Sequence, residues 1–285
     1  MTKSAISVEV RPLTANCGAE IHGVDLARPI DDVTYLELRR ALLDYGAIFF
    51  RDQQLDDIAQ NRFASHFGQP DIFPFGEHPT PEAPAVHVID FDGADDAEGK
   101  GGDEWHTDVT FIPAPPMGTV LRAVQLPPYG GDTCFANMSA AFDALSPALR
   151  EMLDGLDAVH DYRVFAPKVL RTDPVNGPSK LEDRAKVNPP VEHPVVRTHP
   201  ESGRKVLYVN RNYTARIVGL TERENEMLLP YLFDHVRDPM FQCRFQWRPG
   251  SVAFWDNRLV QHYAVADYRG RRRMHRVVIK GDEPY

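Results

Sequence analysis

Hydrophobic residues along this chain fall in short runs rich in β-branched and aromatic side chains. Examples are GAIFF at 46–50, AVHVI at 85–89, TVLRAVQL at 119–126 and KVLYV at 205–209. The 24 prolines and 19 glycines separate these runs, and runs of this kind bounded by turn residues are typical of β-strands. The pattern therefore predicts a mainly β protein.

Three longer segments carry apolar residues at helical spacing instead. They are DDVTYLELRRALLDYG at 31–46, SAAFDALSPALREMLDGL at 139–156 and TERENEMLLPYLFDHV at 221–236. We expect Pro147 to divide the second segment into two helices. Thr221 and Glu224 have the spacing of a capping box at the start of the third.

Two polar segments fit neither pattern. Residues 91–104 are acidic and rich in glycine, and residues 166–190 are long, polar and interrupted by proline. Loops of this length in a compact domain are usually functional lids or connectors. We therefore expect one domain over residues 1–285, a β-sandwich or jelly roll with flanking helices and with lid loops at these two places.

Composition narrows the classes of function. The 285 residues are 42% hydrophobic and 26% charged, which is enough apolar material for a folded core. Lys and Arg total 32 against 41 Asp and Glu, so the formal net charge is −9. This is the wrong sign for a general binder of nucleic acid or anionic membranes. A small-molecule partner is the better expectation.

The cysteines and the N-terminal sequence favour the cytoplasm. Cys17, Cys134 and Cys243 are far apart and form no C-x-x-C motif, so they indicate neither a disulfide framework nor a zinc ribbon. The opening MTKSAISVEV lacks the apolar core of a signal peptide, and no apolar run approaches the ~20 residues that cross a bilayer. These features predict a cytoplasmic protein with no membrane partner.

Two histidines stand two residues before an acidic residue. His106 and Asp108 lie in EWHTDVTF, among strand-forming residues, and a strand would point both side chains at one object. His199 and Glu201 lie in HPESGRK, which is typical of an exposed turn, so we expect a surface role for that pair. The first pair is the candidate for chemistry.

A neutral imidazole and a carboxylate aimed at one point supply two of the three protein ligands of a two-histidine, one-carboxylate iron site. The third ligand must then come from a distant histidine, and His262 in AFWDNRLVQHYAVADY is the best candidate. The alternative is that His106 and Asp108 form a hydrogen-bonded core pair while His262 is a packing residue. Spacing alone does not decide between these two interpretations.

The last predicted strand carries a second indication. In RGRRRMHRVVIKG at 269–281, the strand period of two places Arg272 and Arg276 on one face. Two arginines on a buried face need anionic partners, because an unpaired buried guanidinium costs several kcal/mol. The pattern suggests a binding site for acids, and the alternative is a solvated basic edge.

Together these motifs resemble the taurine dioxygenase family of iron(II)- and 2-oxoglutarate-dependent oxygenases. The resemblance rests on WHTDVTF, on GGDT, and on WDNRLVQHYAVADY followed by RRRMHR. It extends over nearly the whole chain, starting from GAEIHGVDLARP at 18–29. A lone H-x-D motif is a weak signal, whereas this ordered set is specific.

The resemblance implies a fold, a metal and a cosubstrate. The fold would be a double-stranded β-helix, or jelly roll, of the clavaminate-synthase-like type. His106, Asp108 and His262 would bind Fe(II), with 2-oxoglutarate as cosubstrate and O₂ as oxidant. Thr133 and an arginine after His262 would hold the distal carboxylate of 2-oxoglutarate. Because members of the family commonly form oligomers, a homo-oligomer is also expected.

Two arginines compete for the 2-oxoglutarate role. Aligning on MHR selects Arg272, whereas counting forward from His262 selects Arg273. Strand alternation favours Arg272, because it shares a face with Arg276. The resemblance implies that Arg276 contacts the substrate anion, as the matching arginine does in members that act on sulfonates.

The substrate pocket departs from that of the taurine-cleaving members. Where those proteins carry a His, a Tyr and an Asn, this chain has Phe73, Gly76 and Gly102, so three polar contacts are missing. Tyr213 falls at one aromatic pocket position of the family. A second such position lies in HDYRVFAP, at either Phe165 or Ala166.

The resemblance implies an oxygenase that couples decarboxylation of 2-oxoglutarate, giving succinate and CO₂, to oxidation of a small anionic substrate. A sulfonate of the taurine type is the first expectation, and its hydroxylation would release sulfite and an aldehyde. The same chemistry on a sulfate ester or an aryloxy carboxylate is the alternative. Alternatives from other classes are a non-catalytic acid-binding jelly roll and a zinc hydrolase with the same ligands.

Overall fold

The computed structural model describes residues 8–72, 77–93, 104–172 and 175–285. Its helices are α1 Asp32–Tyr45, α2 Asp57–Ser65, α3 Met138–Asp143, α4 Pro147–Leu153, α5 Ala166–Thr172, α6 Gly177–Val187 and α7 Glu222–His235. Its strands are β1 Glu9–Pro12, β2 Ala19–His22, β3 Ala47–Phe50, β4 Pro70–Asp71, β5 Val86–Gly93, β6 Gly118–Gln125, β7 Thr133–Asn137, β8 Asp157–His160, β9 Val191–Pro194, β10 Val196–Thr198, β11 Lys205–Leu207, β12 Thr214–Ile217, β13 Gln242–Phe245, β14 Val252–Asp256, β15 Val260–Ala264 and β16 Gly270–Ile279.

The strands form one large sheet and several smaller ones. The large sheet has the order β1–β2–β3–β14–β6–β16–β4, and β5 also pairs with β16. Its pairs are antiparallel except β2 with β3. A second sheet has the order β13–β7–β15, a third has the order β12–β8–β9, and β10 pairs with β11. The prediction of a mainly β protein with flanking helices agrees with this architecture.

The large sheet buries both of its faces. Along β14, Ala253 and Trp255 belong to a core shared with the second sheet, whereas Val252 and Phe254 belong to a core shared with α1 and α2. This alternation follows from the strand period of two. The site described below lies on the first of these faces, between the large sheet and the second sheet.

Helix boundaries follow from caps that the sequence carries. The Thr221 hydroxyl accepts from the Glu224 backbone, and the Glu224 side chain accepts from the Thr221 backbone, so the predicted capping box is present. Pro147 is at the start of α4, which separates it from α3 as expected. Among the described residues, no helix is both long enough and apolar enough to cross a lipid bilayer.

The predicted loop at 166–190 is wrong, because most of it is helical. It forms α5 and α6, the second with proline in its first turn and an ion pair between Lys186 and Glu182 one helical turn apart. Neither helix has a broad apolar face, so their polarity resembled that of a loop. At 91–104, residues 91–93 continue β5, and 94–103 lie outside the described residues.

The helix α2 was missed because polar residues occupy its buried face. Gln60 is fully buried and donates to the backbone carbonyls of Val120 and His275. Asp57 accepts a hydrogen bond from Arg122 on the neighbouring strand. Because these side chains replace apolar ones on the face toward the sheet, the helical period of hydrophobic residues is not visible in the sequence.

Candidate metal centre and cosubstrate pocket

His106, Asp108 and His262 meet although two of them are more than 150 positions from the third. His106 forms a single antiparallel bridge with His262, with backbone N–H to O distances of 3.1 and 2.8 Å. One ligand atom from each of the three side chains can be chosen so that all lie within 4.8 Å of one another. All three residues are buried. The sequence-predicted triad is therefore a single cluster of potential metal ligands.

The segment EWHTDVTF is not the strand that the sequence predicts. After the bridge at His106 the chain turns, and Val109 has a φ of 55°, in the left-handed region that β-branched residues rarely adopt. Strained backbone of this kind persists only where the surrounding contacts fix it. Asp108 reaches the histidines because of this turn, and strand alternation is not the cause.

A hydrogen bond orients the His106 ring, and burial keeps both imidazoles in the form that binds a metal. His106 Nδ1 lies 2.7 Å from the carbonyl oxygen of Glu104, which can only accept, so Nδ1 donates and Nε2 is left as a ligand atom. Burial lowers the pKa of His106 below its ordinary value. Burial, and then the neighbouring His106, lower the pKa of His262 to about 3. Both rings are therefore neutral at pH 7, which is the form that binds metals.

The two carboxylate oxygens of Asp108 have different surroundings. Oδ2 accepts a hydrogen bond from Thr119 Oγ1 at 3.0 Å and lies 3.1 Å from Nη2 of Arg276. Oδ1 lies 3.9 Å from Nε2 of His106 and 3.8 Å from Nε2 of His262. Burial alone would raise the pKa of Asp108, but Arg276 and then the two histidines lower it below its ordinary value. The carboxylate is therefore ionised and presents Oδ1 to the imidazoles.

The cluster opens into a cavity of about 490 Å³. Its wall combines the three ligand residues with other polar side chains and with aromatic rings. The polar residues on the wall include Thr133, Arg184, Asn188, Asn212, Arg272 and Arg276. A cavity of this size with few polar groups on an apolar wall is typical of a site for a small organic ligand.

Arg272 is a buried cation prepared for an anion. It is 5% exposed, its Nε has no hydrogen-bond partner, and no carboxylate of the described chain lies within 4 Å of it. Its guanidinium carbon lies 5.9 Å from the Trp247 ring and 6.0 Å from the Tyr268 ring. Burial lowers the pKa of Arg272. Thr133 lies on the same cavity wall, and its hydroxyl accepts from Trp247 Nε1 at 3.0 Å.

The alternation predicted for the last strand agrees with the structure. Arg272 and Arg276 both line the cavity. Arg273 points away from it and forms ion pairs with Asp90 at 3.1 Å and with Glu77 at 3.6 Å. Of these three arginines of the last strand, Arg272 and Arg276 can therefore reach a ligand in the cavity, and Arg273 cannot.

Aromatic rings form a continuous patch on the cavity wall. The Phe111 ring centroid is 5.0 Å from that of Tyr213 and 5.1 Å from that of Tyr162, and Phe165 is 6.0 Å from Tyr213. All four residues line the cavity. The sequence left Phe165 and Ala166 as alternatives for one position, and the structure places Phe165 on the wall. This aromatic patch offers an organic ligand an apolar contact surface.

Of the predicted substrate-binding residues, Tyr213 and Arg276 line the cavity. Phe73, and the two glycines predicted to open space beside it, Gly76 and Gly102, lie outside the described residues.

The sequence matches the taurine catabolism dioxygenase TauD, TfdA family over residues 9–278. The chain belongs to this family. Members of the family depend on 2-oxoglutarate, also called alpha-ketoglutarate, and the match covers the strands and the three clustered ligand residues described above.

Individual relatives of the TauD, TfdA family are similar over almost their full length. An alpha-ketoglutarate-dependent sulfate ester dioxygenase from Pseudomonas putida is 39% identical over 294 aligned residues, covering 98% of this chain and 92% of that protein. A crystal structure of a taurine dioxygenase from Burkholderia xenovorans is 40% identical with a TM-score of 0.81, covering 98% of this chain and 91% of that one. A crystal structure of AAD-2 in complex with Mn(II) and N-oxalylglycine is 26% identical with a TM-score of 0.78, covering 98% and 99%.

These likenesses confirm four predictions made from the sequence: the family, the jelly-roll fold, the enzyme class and the cofactors. As a TauD, TfdA family member the protein is an Fe(II)- and 2-oxoglutarate-dependent dioxygenase that uses O₂ and acts on a small organic substrate. The donor set of the cluster fits this metal, because two neutral imidazoles and one ionised carboxylate are the protein ligands of non-heme Fe(II) sites. Arg272, which is buried and has no carboxylate partner among the described residues, fits a dicarboxylate cosubstrate.

The expected surface role of His199 is wrong. His199 is fully buried, and its Nε2 lies 3.1 Å from Oδ2 of Asp256. The backbone N–H groups of Glu201 and Ser202 donate to its Nδ1, so Nε2 carries the proton and donates to the carboxylate. The turn residues after His199 are exposed as predicted, but the histidine itself points inward. Sequence alone cannot distinguish these two directions of a side chain at the start of a turn.

Two residues beside the candidate metal ligands were missed by the sequence. Thr119 lies in a predicted strand, where threonine is common, and its contact with Asp108 depends on the register between β6 and β14. Asn257 donates to the same carboxylate oxygen at 3.4 Å. Asn257 stands in the motif WDNRLVQH five residues before His262, and this proximity was the one available signal.

Proposed function

We propose that His106, Asp108 and His262 are the protein ligands of Fe(II). The proposal is supported by the close approach of their ligand atoms, by their burial and by the lowered pKa values of all three residues. Three protein ligands leave three positions for 2-oxoglutarate and O₂. When bound, the iron centre supplies the coupled oxidation of 2-oxoglutarate to succinate and CO₂ and of a C–H bond in the substrate.

Thr133 and Arg272 hold the distal carboxylate of 2-oxoglutarate in this proposal. Arg272 donates a bidentate pair of hydrogen bonds, which matches the planar geometry of a carboxylate. The observation that carries the assignment is the burial of this guanidinium beside the metal cluster with no carboxylate partner among the described residues. The Thr133 hydroxyl, fixed by Trp247, supplies a further donor or acceptor at the same wall.

Arg276 binds the anionic group of the primary substrate, and the organic part of the substrate lies against the aromatic patch. Two relatives support this assignment, the sulfate ester dioxygenase at 39% identity and the taurine dioxygenase structure at 40%. A sulfate ester and taurine are both organic compounds with an anionic sulfur group. The two carboxylates on the described cavity wall are Asp108, which the metal uses, and Asp71, which lies 3.9 Å from Lys280. Among the described wall residues, an ammonium group such as that of taurine would have only Asp71 to pair with, whereas the aromatic patch offers contact to an apolar alkyl or aryl group.

Oxidation of the carbon next to the anionic group would break the substrate. From a sulfate ester, hydroxylation of the carbon bonded to the ester oxygen gives an aldehyde and sulfate. From a sulfonate, hydroxylation of the carbon bonded to sulfur gives an aldehyde and sulfite. An aryloxy carboxylate would be oxidised in the same cavity and remains the second candidate, because Arg276 can pair with a carboxylate equally well.

The helices α5 and α6 form a lid over the cavity in this account. Arg184 of α6 lines the cavity and donates to the hydroxyl of Tyr162 at 2.8 Å, which joins α6 to the aromatic patch. Closure of such a segment would exclude water from the substrate. The lid expected at 166–190 would thus consist of two helices and not of a loop.

Succinate release tests the proposed function. The protein is incubated under air with Fe(II), ascorbate and 2-oxoglutarate, together with alkyl sulfates, alkyl and aryl sulfonates, taurine or aryloxy acids. We expect succinate and aldehyde in equal amounts, with a higher kcat/KM for the sulfates and sulfonates that carry apolar groups than for taurine. Sulfate or sulfite in the product identifies the bond that breaks. Failure of all substrates to increase succinate formation above the uncoupled rate would contradict the proposal.

A further inference from the structure

A chain of four buried side chains ends at Oδ2 of Asp108. Trp255 Nε1 lies 2.8 Å from Asn257 Oδ1, and Asn257 Nδ2 lies 3.3 Å from Thr119 Oγ1. Thr119 Oγ1 in turn lies 3.0 Å from Oδ2 of Asp108, and Asn257 Nδ2 also approaches this oxygen at 3.4 Å. Thr119, Asn257, Trp255 and Asp108 are each no more than 4% exposed.

The chemistry of the first residue sets the direction of every hydrogen bond in this chain. The indole of Trp255 can only donate, so the oxygen of the Asn257 amide faces it and the amide nitrogen faces Thr119. The nitrogen can only donate, so it occupies a lone pair of the Thr119 hydroxyl. The hydroxyl must then direct its own proton to Asp108. A reversal at any link would leave a buried donor facing another donor.

The backbone fixes the position of both donors. Thr119 lies within β6, where it pairs with Trp255 of β14 and with Val278 of β16. Asn257 lies in the turn between β14 and β15, and its backbone N–H donates to the carbonyl of Met117 at 2.8 Å. Donors fixed by two neighbouring strands and a turn keep their positions whether or not the carboxylate is engaged by a cation.

We propose that Thr119 and Asn257 are positioning residues of the metal centre. They occupy Oδ2 of Asp108, so the carboxylate presents Oδ1 alone to the metal and binds through one oxygen. One-oxygen binding preserves three open metal positions for 2-oxoglutarate and O₂. This inference rests on the proposed function of Asp108 as an iron ligand.

Because Thr119 and Asn257 donate to Oδ2, Arg276 can bind the substrate anion without leaving this oxygen unsatisfied. Arg276 also forms an ion pair with Oδ2, with Nη2 at 3.1 Å. When the Arg276 guanidinium binds an anionic substrate, Thr119 and Asn257 still donate hydrogen bonds to Oδ2 of Asp108. Asp108 therefore keeps its orientation during substrate binding.

Two substitutions at Thr119 separate positioning from packing. Thr119→Val keeps the shape of the side chain and removes the hydroxyl, whereas Thr119→Ser keeps the hydroxyl and removes a buried methyl group. The measurements are the Kd of the apo protein for Co(II), the visible spectrum of the Co(II) form, and the Tm of the apo protein. We expect Thr119→Val to raise the Kd about tenfold or more and to change the spectrum. We expect Thr119→Ser to lower the Tm while its Kd stays within about twofold of wild type.

Equal Co(II) affinity of Thr119→Val and wild type would overturn the inference, and so would an equal loss in both Thr119 variants. Asn257→Ala carries the same expectation as Thr119→Val, so it provides the test if Thr119→Val does not fold. Asp108→Ala separates the two proposals. Wild-type Co(II) affinity in Asp108→Ala would refute Asp108 as a ligand, whereas its loss, together with normal affinity in Thr119→Val, would refute only the positioning role.

Discussion

Arg272 and Arg273 are neighbours in sequence with opposite surroundings. Arg272 is buried and lines the cavity that the three candidate metal ligands also line, whereas Arg273 pairs with Asp90 outside the cavity. We predict that Arg272→Ala raises the KM for 2-oxoglutarate steeply, because loss of one partner of a buried charge pair costs about 2–5 kcal/mol. Steady-state succinate formation at varied 2-oxoglutarate measures this. Arg273→Ala is the matched control and should stay within a few-fold of wild type; the reverse pattern would refute the assignment.

Arg276 has two contacts, which changes the phenotype expected from its loss. It lines the cavity and also pairs with Asp108. We predict that Arg276→Ala raises the KM for the primary substrate and increases the fraction of 2-oxoglutarate decarboxylated without product, while the KM for 2-oxoglutarate changes little. The ratio of aldehyde to succinate measures the uncoupling. A ratio that stays at the wild-type value would contradict the substrate role of Arg276.

At the scale of single residues, the sequence predicted which side chains cluster as candidate metal ligands, but it did not predict the environment of individual side chains. His106, Asp108 and His262 were predicted from the ligand set and the family motifs, and the structure places them together. The direction of a side chain at a turn was not predictable, as the buried His199 shows. The role of Thr119 could not be predicted either, because it depends on which strand lies beside β6.

The turn between β14 and β15 is the element that joins the metal site to a buried charge network. Asp256, the last residue of β14, accepts from Arg258 of this turn and from His199, and Arg258 also donates to Glu201. The neighbouring residue, Asn257, approaches Asp108. Loss of a hydrogen bond in this network should therefore lower the stability of the fold and displace Asn257 from Asp108.

We predict that His199→Ala lowers the free energy of unfolding by about 1–3 kcal/mol, because it removes a donor from the buried carboxylate of Asp256. Urea denaturation monitored by tryptophan fluorescence measures this. Ser202→Ala, in the exposed part of the same turn, is the control and should change stability by no more than ~0.5 kcal/mol. Equal stability of His199→Ala and wild type would contradict a buried, stabilising hydrogen bond between His199 and Asp256.

At the scale of elements, the sequence predicted those whose pattern is set by one buried apolar face. α1 and α7 belong to this class, with caps at Asp31 and Thr221. It failed for α2, whose buried face is polar, and for α6, which is polar on most sides. The segment at His106–Asp108 converges through a turn, which periodicity cannot indicate.

Across the whole molecule, buried neutral histidines couple stability to pH. Burial, and then the neighbouring His193, lower the pKa of His160 to about 3. An unfolded histidine has a pKa near 6.5, so below this pH the unfolded state binds a proton that the folded state excludes. Stability contributed by the neutral His160 is complete above pH 6.5 and is lost progressively as pH falls toward 3.

We predict that His160 alone removes about 1.4 kcal/mol of stability for each pH unit in this interval. His160→Gln should remove that contribution, so its stability curve should be flatter than that of wild type between pH 6 and pH 4. Urea denaturation of the apo proteins at a series of pH values measures the difference. Parallel curves for the two proteins would show that His160 is not excluded from protonation in the folded state.

The homo-oligomer, the single domain over residues 1–285 and the cytoplasmic location stay predictions from the sequence. The family, the jelly-roll fold and the dioxygenase class are shown by the match over residues 9–278 and by the full-length relatives.

The central claim is that His106, Asp108 and His262 hold Fe(II) in a cavity where Arg272 receives 2-oxoglutarate. The most direct measurement is the visible absorption of the anaerobic protein with Fe(II) as 2-oxoglutarate is added. We predict a weak charge-transfer band in the wild type that saturates as 2-oxoglutarate is added. In Arg272→Ala the band should need a much higher 2-oxoglutarate concentration, and in His262→Ala it should be absent. No band in the wild type, or an unchanged band in His262→Ala, would contradict this claim.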